Sequence, residues 1–550
     1  GDAWEFNYTT FHSSSVADSD PLKDDEFGNA NATLLAAFRP SLVVDDTRDR
    51  IFNSVRVTSA NPDAVYNADN YSLGYTRNVT YIESVRDGFK GNFKYTFNTA
   101  VPLTLKTGLG RTEQSRRNYG RTQNITFAGE DGVAGVNAAS GRTDDRLSRF
   151  LSTGSISGFD ASGNRRPFVL DLRALAKSYK EQPQLWSYDV YTNALNTLTG
   201  SYKAAETIDA GYAMGESTWR NFHLLAGVRG EETKVKATAL LRDQPTATAA
   251  QIPDPTARAV FNAGRLITRT GTYDNYFPSA HLNYKIRPNL QARSSYSTGI
   301  SRPGYGFLIS ATNINDITDT ITTSNPNLKP QTADSYDLSL EYFSEPAGVI
   351  SVGLFRKDIR DYITSTIGTV ESGNPFGEQY VGYQLRTSVN GGNAKVQGVE
   401  FNLVQQLNFI PRSVGLFTFK GNLTILRAEG TFGGNTRLSS GEVPNFVPRA
   451  WNIVGEYAKG KFSLLARYNQ QAPFLVGANA NPNLATRNPQ REKIDVNFTY
   501  RWRKEAQIFF AIDNLTEQPF YQLVGLGDRQ FASATWAGSR RFNFGVQGKF

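Results

Sequence analysis

Apolar residues in this chain recur at every second position over stretches of about ten residues, and that period limits what the chain can fold into more than any motif does. Ile494, Val496, Phe498, Tyr500 and Trp502 share one face of a segment whose other face is Lys493, Asp495, Asn497, Thr499 and Arg501. Phe462, Leu464, Ala466 and Tyr468 repeat the pattern, as do Phe93, Tyr95 and Phe97, and Tyr336, Leu338, Leu340 and Tyr342. Such alternation predicts strands with one oily and one polar face, and about ten residues is the length a tilted strand needs to cross a bilayer. No stretch approaches the ~18 consecutive apolar residues of a membrane-spanning helix.

A soluble sandwich also alternates, so the connections decide. Short links fall at Asn98–Pro102, Ser344–Gly348, Phe409–Ser413, Ala458–Lys461 and Arg503–Glu505. Between them lie long polar connections at about Ala128–Gln182, Lys236–Gly271, Ser301–Thr332, Gly430–Pro444 and Ala472–Gln490. Short and long links alternate when an up-and-down barrel carries tight turns at one end and external loops at the other; Greek-key sandwiches do not require it. Tyr457, Phe462, Tyr500 and Trp502 sit beside short turns, where an interfacial aromatic girdle belongs. The expected fold is all-β, an antiparallel transmembrane β-barrel over residues 1–550.

The 550 residues include no cysteine and three histidines, His12, His223 and His281. Disulfides, thiolate metal ligands and cysteine nucleophiles are thereby removed, and no histidine pair has metal-ligand spacing. Neither a metal site nor a cofactor is expected. The formal charge is +8 with acids and bases interspersed, which gives no basic stripe for nucleic acid. The carboxylate pairs Asp24 with Asp25, Asp144 with Asp145 and Glu231 with Glu232 read as solvated loop or lumen charges, and no catalytic constellation is found.

Longer phrases carry a resemblance. "NPNLKPQTADSYDLSLEYF" (Asn325–Phe343), "SVGLFRKDIRDYI" (Ser351–Ile363), "GGNAKVQGVEFNL" (Gly391–Leu403) and "AIDNLTEQPFY" (Ala511–Tyr521) occur in the order found in the TonB-dependent outer-membrane receptors. The chain resembles that family from about Tyr202 to Phe550, with "ETIDAGYAM" (Glu206–Met214) and "LLAGVRGEETKV" (Leu224–Val235) fitting the same pattern. The resemblance implies a barrel of about 22 strands in the outer membrane, an N-terminal plug, and a segment that engages TonB. About eighteen strand candidates are counted here, and "GDAWEFNYTTF" already alternates through Trp4, Phe6 and Tyr8. The plug, the TonB-binding segment and about four strands are therefore expected upstream of residue 1. The implied partners are the TonB complex, the barrel assembly machinery, and outer-membrane lipid with lipopolysaccharide.

Ligand binding is expected in loops and lumen. "FVLDLRALAKSY" (Phe168–Tyr179) places Leu170, Leu172, Leu175 and Ala176 on one side of a short helix. Trp186 and Tyr188 beside Asp189 suit a flat organic ligand or a sugar, or else pin a large loop together. Tyr305 and Phe307 offer apolar contact near the hydrogen-bonding Asn313, Asn315 and Asp316. Iron chelates, cobalamin, glycans and peptides all remain open as cargo. Energised uptake of a scarce nutrient is the leading function, with a passive pore or surface-binding barrel as the alternative; a barrel-borne enzyme would need a catalytic cluster that the sequence lacks.

The chain ends "RRFNFGVQGKF", with Phe542, Phe544, Val546 and Phe550 on one face. In water this would be an oily, unpaired edge; in lipid it resembles the terminal signal read by the barrel assembly machinery, with the strand closing the barrel against the first strand. Loss of Phe550 burial alone is worth roughly 2–3 kcal/mol, which a large barrel survives. Phe550→Asp is accordingly expected to lower heat-modifiable barrel in the outer membrane sharply while detergent-refolded protein stays nearly intact. Normal membrane levels of that variant would reduce the terminal aromatic to packing.

Overall fold

The computed structural model describes residues 4–548 apart from 21, 23–29, 40–41, 46–53, 58–60, 136, 140–143, 153–167, 242–245, 309–311, 316–317, 326, 346, 375, 433–442, 478–481, 526–529 and 537. Asp24, Asp25, Asp316 and Phe550 lie outside the described residues. No helix is long and apolar enough to cross a membrane among the described residues.

Among the described residues twenty strands are hydrogen-bonded into one sheet, and four of them, Ala30–Leu34, Trp186–Tyr188, Asn313–Asn315 and Thr320–Thr322, are short strands within connections. The other sixteen form an antiparallel meander: β1 (Trp4–Ser19), β2 (Tyr71–Phe97), β3 (Leu103–Phe127), β4 (Tyr202–Trp219), β5 (Phe222–Leu241), β6 (Arg265–Arg287), β7 (Leu290–Ser301) and β8 (Gln331–Ser344). They continue through β9 (Gly348–Thr369), β10 (Gln384–Gln406), β11 (Leu416–Phe432), β12 (Arg449–Lys459), β13 (Phe462–Gln471), β14 (Arg491–Arg501), β15 (Ala506–Asp513) and β16 (Arg541–Gly548). Sixteen is fewer than the eighteen or so expected; Phe474–Gly477 and Phe520–Val524 belong to a small separate sheet. The expected closure is also not seen among the described residues: β1 pairs with β2, β16 pairs with β15, and no ladder joins β1 to β16.

Short and long links alternate along the meander as expected. Two further short turns, Arg220–Asn221 and Pro288–Asn289, separate β4 from β5 and β6 from β7. The stretch expected to be a loop around 236–271 is strand up to Leu241 and again from Arg265. There Lys234, Lys236, Thr268 and Thr270 replace the oily face, so hydropathy alternation ends while the ladder continues.

Register fixes the faces. Phe417, Tyr457, Leu464, Phe498, Phe510 and Phe544 are successive cross-strand partners from β11 to β16 and point outward. Phe542, Phe544 and Val546 are 61%, 74% and 67% exposed on that outward face. The opposite face carries ion pairs about three residues above the short turns: Lys94–Glu5 at 3.5 Å, Lys106–Glu216 at 3.2 Å, Arg293–Glu341 at 3.4 Å and Lys420–Glu456 at 2.6 Å. Each half-exposed pair is worth about 1 kcal/mol or less; their consequence is a polar inner wall. Strand glycines admit large neighbours: the Tyr212 ring lies over Gly108, and its hydroxyl donates to Asn92 Oδ1 at 2.9 Å.

At the other end the connections are folded in their own right. The segment 128–201 shares a core with the tops of β2 and β3 in which Tyr75, Phe127, Leu147 and Leu175 are fully buried. Helix α1 (Leu172–Glu181) buries Leu175 and Ala176, starting four residues later than the expected segment because Asp171 caps it, accepting from Arg173 N and Ala174 N at 3.0 Å. Helix α2 (Val190–Thr199) packs on α3 (Pro255–Ala263). Two buried amides hold this layer: Asn193 accepts from Asn124 N at 2.6 Å and donates to Asn124 O at 3.0 Å. Asn262 accepts from Ala247 N at 2.7 Å and donates to Ala247 O and the Tyr191 hydroxyl.

Two outcomes follow for refolding titrations. Phe498→Arg is expected to cost roughly 2–4 kcal/mol if it lies near the bilayer midplane, and Asn497→Arg, facing inward, far less; equal losses would mean exchanged faces. Asn262→Ala leaves a buried amide and carbonyl of Ala247 unpaired and is expected to cost about 1–3 kcal/mol, seen as earlier proteolytic cleavage between β5 and β6.

Candidate functional site

Inward-facing residues of β4–β7 converge beneath the connection from Arg302 to Pro330. Glu206 on β4 and Glu231 on β5 point to the inner wall, and Arg302, the first residue beyond β7, joins them: its Nη2 lies 2.5 Å from Glu231 Oε2 and its Nε 3.8 Å from Glu206 Oε2. Arg229 holds the other oxygen of Glu231 at 2.7 Å. Two largely buried carboxylates sharing two guanidiniums leave little net charge, which is what allows them out of water. The loop is thereby fastened to the wall at its first residue.

Tyr305 lies in a short helix, Tyr305–Leu308, and packs against Ala204, Ala237 and Ala239. Burial, and then the charge of Glu206, push its hydroxyl up to about 12, so it stays a neutral phenol at any physiological pH. Leu308 and Leu328 are buried on Val235 with Tyr273 alongside. The return of the loop is held by amides: Asn325 Nδ2 donates to Ser388 O at 2.9 Å, and Asn390 accepts from Lys329 N and donates to Lys329 O, both at 2.8 Å.

These fastenings leave a cavity of about 320 Å³ between the inner wall and the loop. Its floor is Val235, Leu308 and Leu328; its polar rim is Arg269, Lys329, Asn327 and Tyr273. Neither Arg269 nor Lys329 is paired with a carboxylate among the described residues. An apolar floor with two cations at its rim is suited to a partly apolar ligand that carries negative charge.

The residues singled out from sequence separate into three places. Trp186 is 7% exposed in an aromatic core with Phe127, Phe150 and Tyr179, the loop-pinning role. Tyr188 is exposed and its hydroxyl accepts from Gln123 Nε2 at 2.9 Å, while Asp189 caps α2 by accepting from Thr192 N at 2.9 Å. Asn313–Asn315 pairs with Thr320–Thr322 over a small core of Ile314, Ile321, Val370, Phe376 and Tyr380; Asn315 accepts from Thr318 N within that turn. Tyr305 and Phe307 belong to the loop over the cavity, Phe307 being 49% exposed. Sequence reading missed Arg269, Tyr273, Lys329 and Arg302. Their signal is weak, since a charge on the inward face of a strand looks alike whether it is near a ligand or merely wet.

The family model for the TonB-dependent receptor-like β-barrel matches residues 15–515. The closed form of the ferric-catecholate import receptor Fiu from E. coli K12 is similar to the chain at 15% identity and a TM-score of 0.58, over 100% of this chain and 62% of that one. The siderophore receptor PiuA from Acinetobacter baumannii is similar at 15% identity and 0.52, over 88% and 60%. The unliganded ferric citrate transporter FecA is similar at 12% and 0.51, over 87% and 56%. The chain thus spans under two thirds of the length of these structures, and at such identities they show a shared fold. No curated protein matches. With its alternating faces, its turn-and-loop asymmetry and this match over most of its length, the chain belongs to the TonB-dependent receptor β-barrels of the Gram-negative outer membrane.

Proposed function

We propose that this barrel is the C-terminal part of a longer receptor, with a plug and a TonB-binding segment upstream, that takes up a scarce nutrient across the outer membrane at the expense of the inner-membrane proton gradient. The short turns face the periplasm and the folded connections face outside, where ligand is captured. The observation that carries the ligand reading is the cavity with Arg269 and Lys329 above an apolar floor: it favours an anionic chelate, such as a ferric siderophore, over a neutral glycan. The barrel assembly machinery and the lipids of the membrane, lipopolysaccharide included, are its assembly partners in this reading.

Orientation is checked by Ala249→Cys, which has no native thiol background; an impermeant maleimide is expected to label it on whole cells, and labelling only after rupture would reverse the barrel. Uptake is checked with radiolabelled ferric chelates in iron-starved cells. Arg269→Ala combined with Lys329→Ala is expected to weaken binding at least tenfold, about 1.4 kcal/mol, with membrane levels unchanged, and a proton uncoupler is expected to stop accumulation while leaving surface binding. Accumulation that survives the uncoupler would make the barrel a passive pore.

A further inference from the structure

A wide hollow lies on the outward wall, away from the cavity beneath the loop. Outward positions on β2 and β3 are large, with Phe93, Tyr95, Phe97 and Leu105 forming a ridge. On the next two strands they shrink to Ala213 and Gly215 on β4 and Ala226 on β5. Tyr95, Leu105, Gly215 and Ala226 are successive cross-strand partners, so the drop in side-chain size is a step in the wall at one height. The space it leaves is about 680 Å³.

A second hollow of about 480 Å³ adjoins it on β6–β9, bounded by Tyr296, Tyr336, Leu338 and Leu354. The boundary between the two is low, because Ala226 faces Ala280 across the β5–β6 ladder. The wall therefore carries a trough of two parallel hollows, bounded by large side chains on β2, β3, β8 and β9.

The two floor strands β4 and β5 are joined by the turn Arg220–Asn221. Trp219, 51% exposed at the foot of the trough, stacks on Phe222 at 6.1 Å, and the Arg220 guanidinium lies 5.0 Å from its ring centre. A tryptophan and a cation at this depth mark the headgroup level. Gly215 is four residues above Trp219, about 13 Å along the strand and roughly 10 Å along the membrane normal at a tilt of about 40°, which is the level of acyl chain. Hydrocarbon must fill any hollow on a lipid-facing wall, and a chain resting on Gly and Ala backbone gains close dispersion contact over its length.

We propose that this trough binds one glycerophospholipid of the periplasmic leaflet, its anionic phosphate at Arg220 and Trp219 and one acyl chain in each hollow. The assignment rests on the short turns facing the periplasm, which the labelling of Ala249→Cys decides separately.

Native mass spectrometry of the full-length receptor, extracted from outer membranes in mild detergent, tests it. The wild-type protein is expected to retain one phospholipid. Gly215→Phe and Ala226→Phe fill the trough and are expected to lower that adduct at least tenfold. Gly455→Phe, on the outward face of β12 with open space above its Cα, is expected to keep it. Arg220→Gln is expected to cut retention at least threefold and to abolish any preference for phosphatidylglycerol over phosphatidylethanolamine. Heat-modifiable migration of every variant reports folding independently of lipid. Equal adduct in wild-type and trough-filled proteins would overturn the site, and so would lipopolysaccharide or a protein chain as the retained species. A periplasmic labelling result for Ala249 together with loss of adduct in the filled variants would overturn the leaflet while leaving the failure of the uptake reading apparent by itself.

Discussion

Every backbone amide and carbonyl within hydrocarbon must find a partner in the protein, because lipid offers none. Most of this molecule follows from that requirement. An unbroken antiparallel ladder runs from β1 to β16, consecutive strands pair with one another wherever the chain turns back, and the hairpins at one end are as short as Arg220–Asn221 and Gly460–Lys461, the latter with Gly460 at φ +59° to make the reversal. Once the ladder is fixed, the side chains have only two directions to go, and the polarity of each position is settled by which solvent it meets.

That is why the fold was legible in the sequence and the site was not. Two-residue alternation in Ile494–Trp502 or Phe462–Tyr468 records a difference between lipid and water across a wall, and the structure places those faces as read. The signal disappears where both faces are wet: the upper parts of β5 and β6, with Lys234, Lys236, Thr268 and Thr270, are as regular in hydrogen bonding as the membrane part yet carry no hydropathic pattern. Arg269 and Lys329 are hidden for a related reason. Nothing in a linear pattern tells an inward cation beside a cavity from one that faces open lumen; convergence of β5, β6 and a loop 60 residues downstream creates the difference. Asp189 shows how local chemistry is read from neighbours in sequence: its position before Val190 lets it cap a helix, a role that an acid beside aromatics does not announce.

The long connections obey a different rule from the wall. Ladders cover only short parts of them, and asparagine side chains supply further backbone partners: Asn193, Asn325 and Asn390 bond backbone groups more than 60 residues away in sequence, and Asn262 bonds Ala247 across its own connection. With aromatic cores below them, these amides turn connections into fixed surfaces. Tyr273, Leu308 and Lys329 are thereby already placed around the cavity, so a ligand taken up there would cost the protein little conformational freedom.

The length of the strands has an effect beyond spanning. β2 has 27 residues, about 90 Å along the strand and roughly 70 Å along the barrel axis at a tilt of about 40°, against a hydrocarbon core of about 30 Å. Its upper end therefore stands some tens of ångströms clear of the membrane, several Debye lengths at about 8 Å each in physiological salt. The potential of the bilayer surface itself has decayed at that height. The long strands thus act as a mast that lifts the folded connections out of the field of the membrane that carries them.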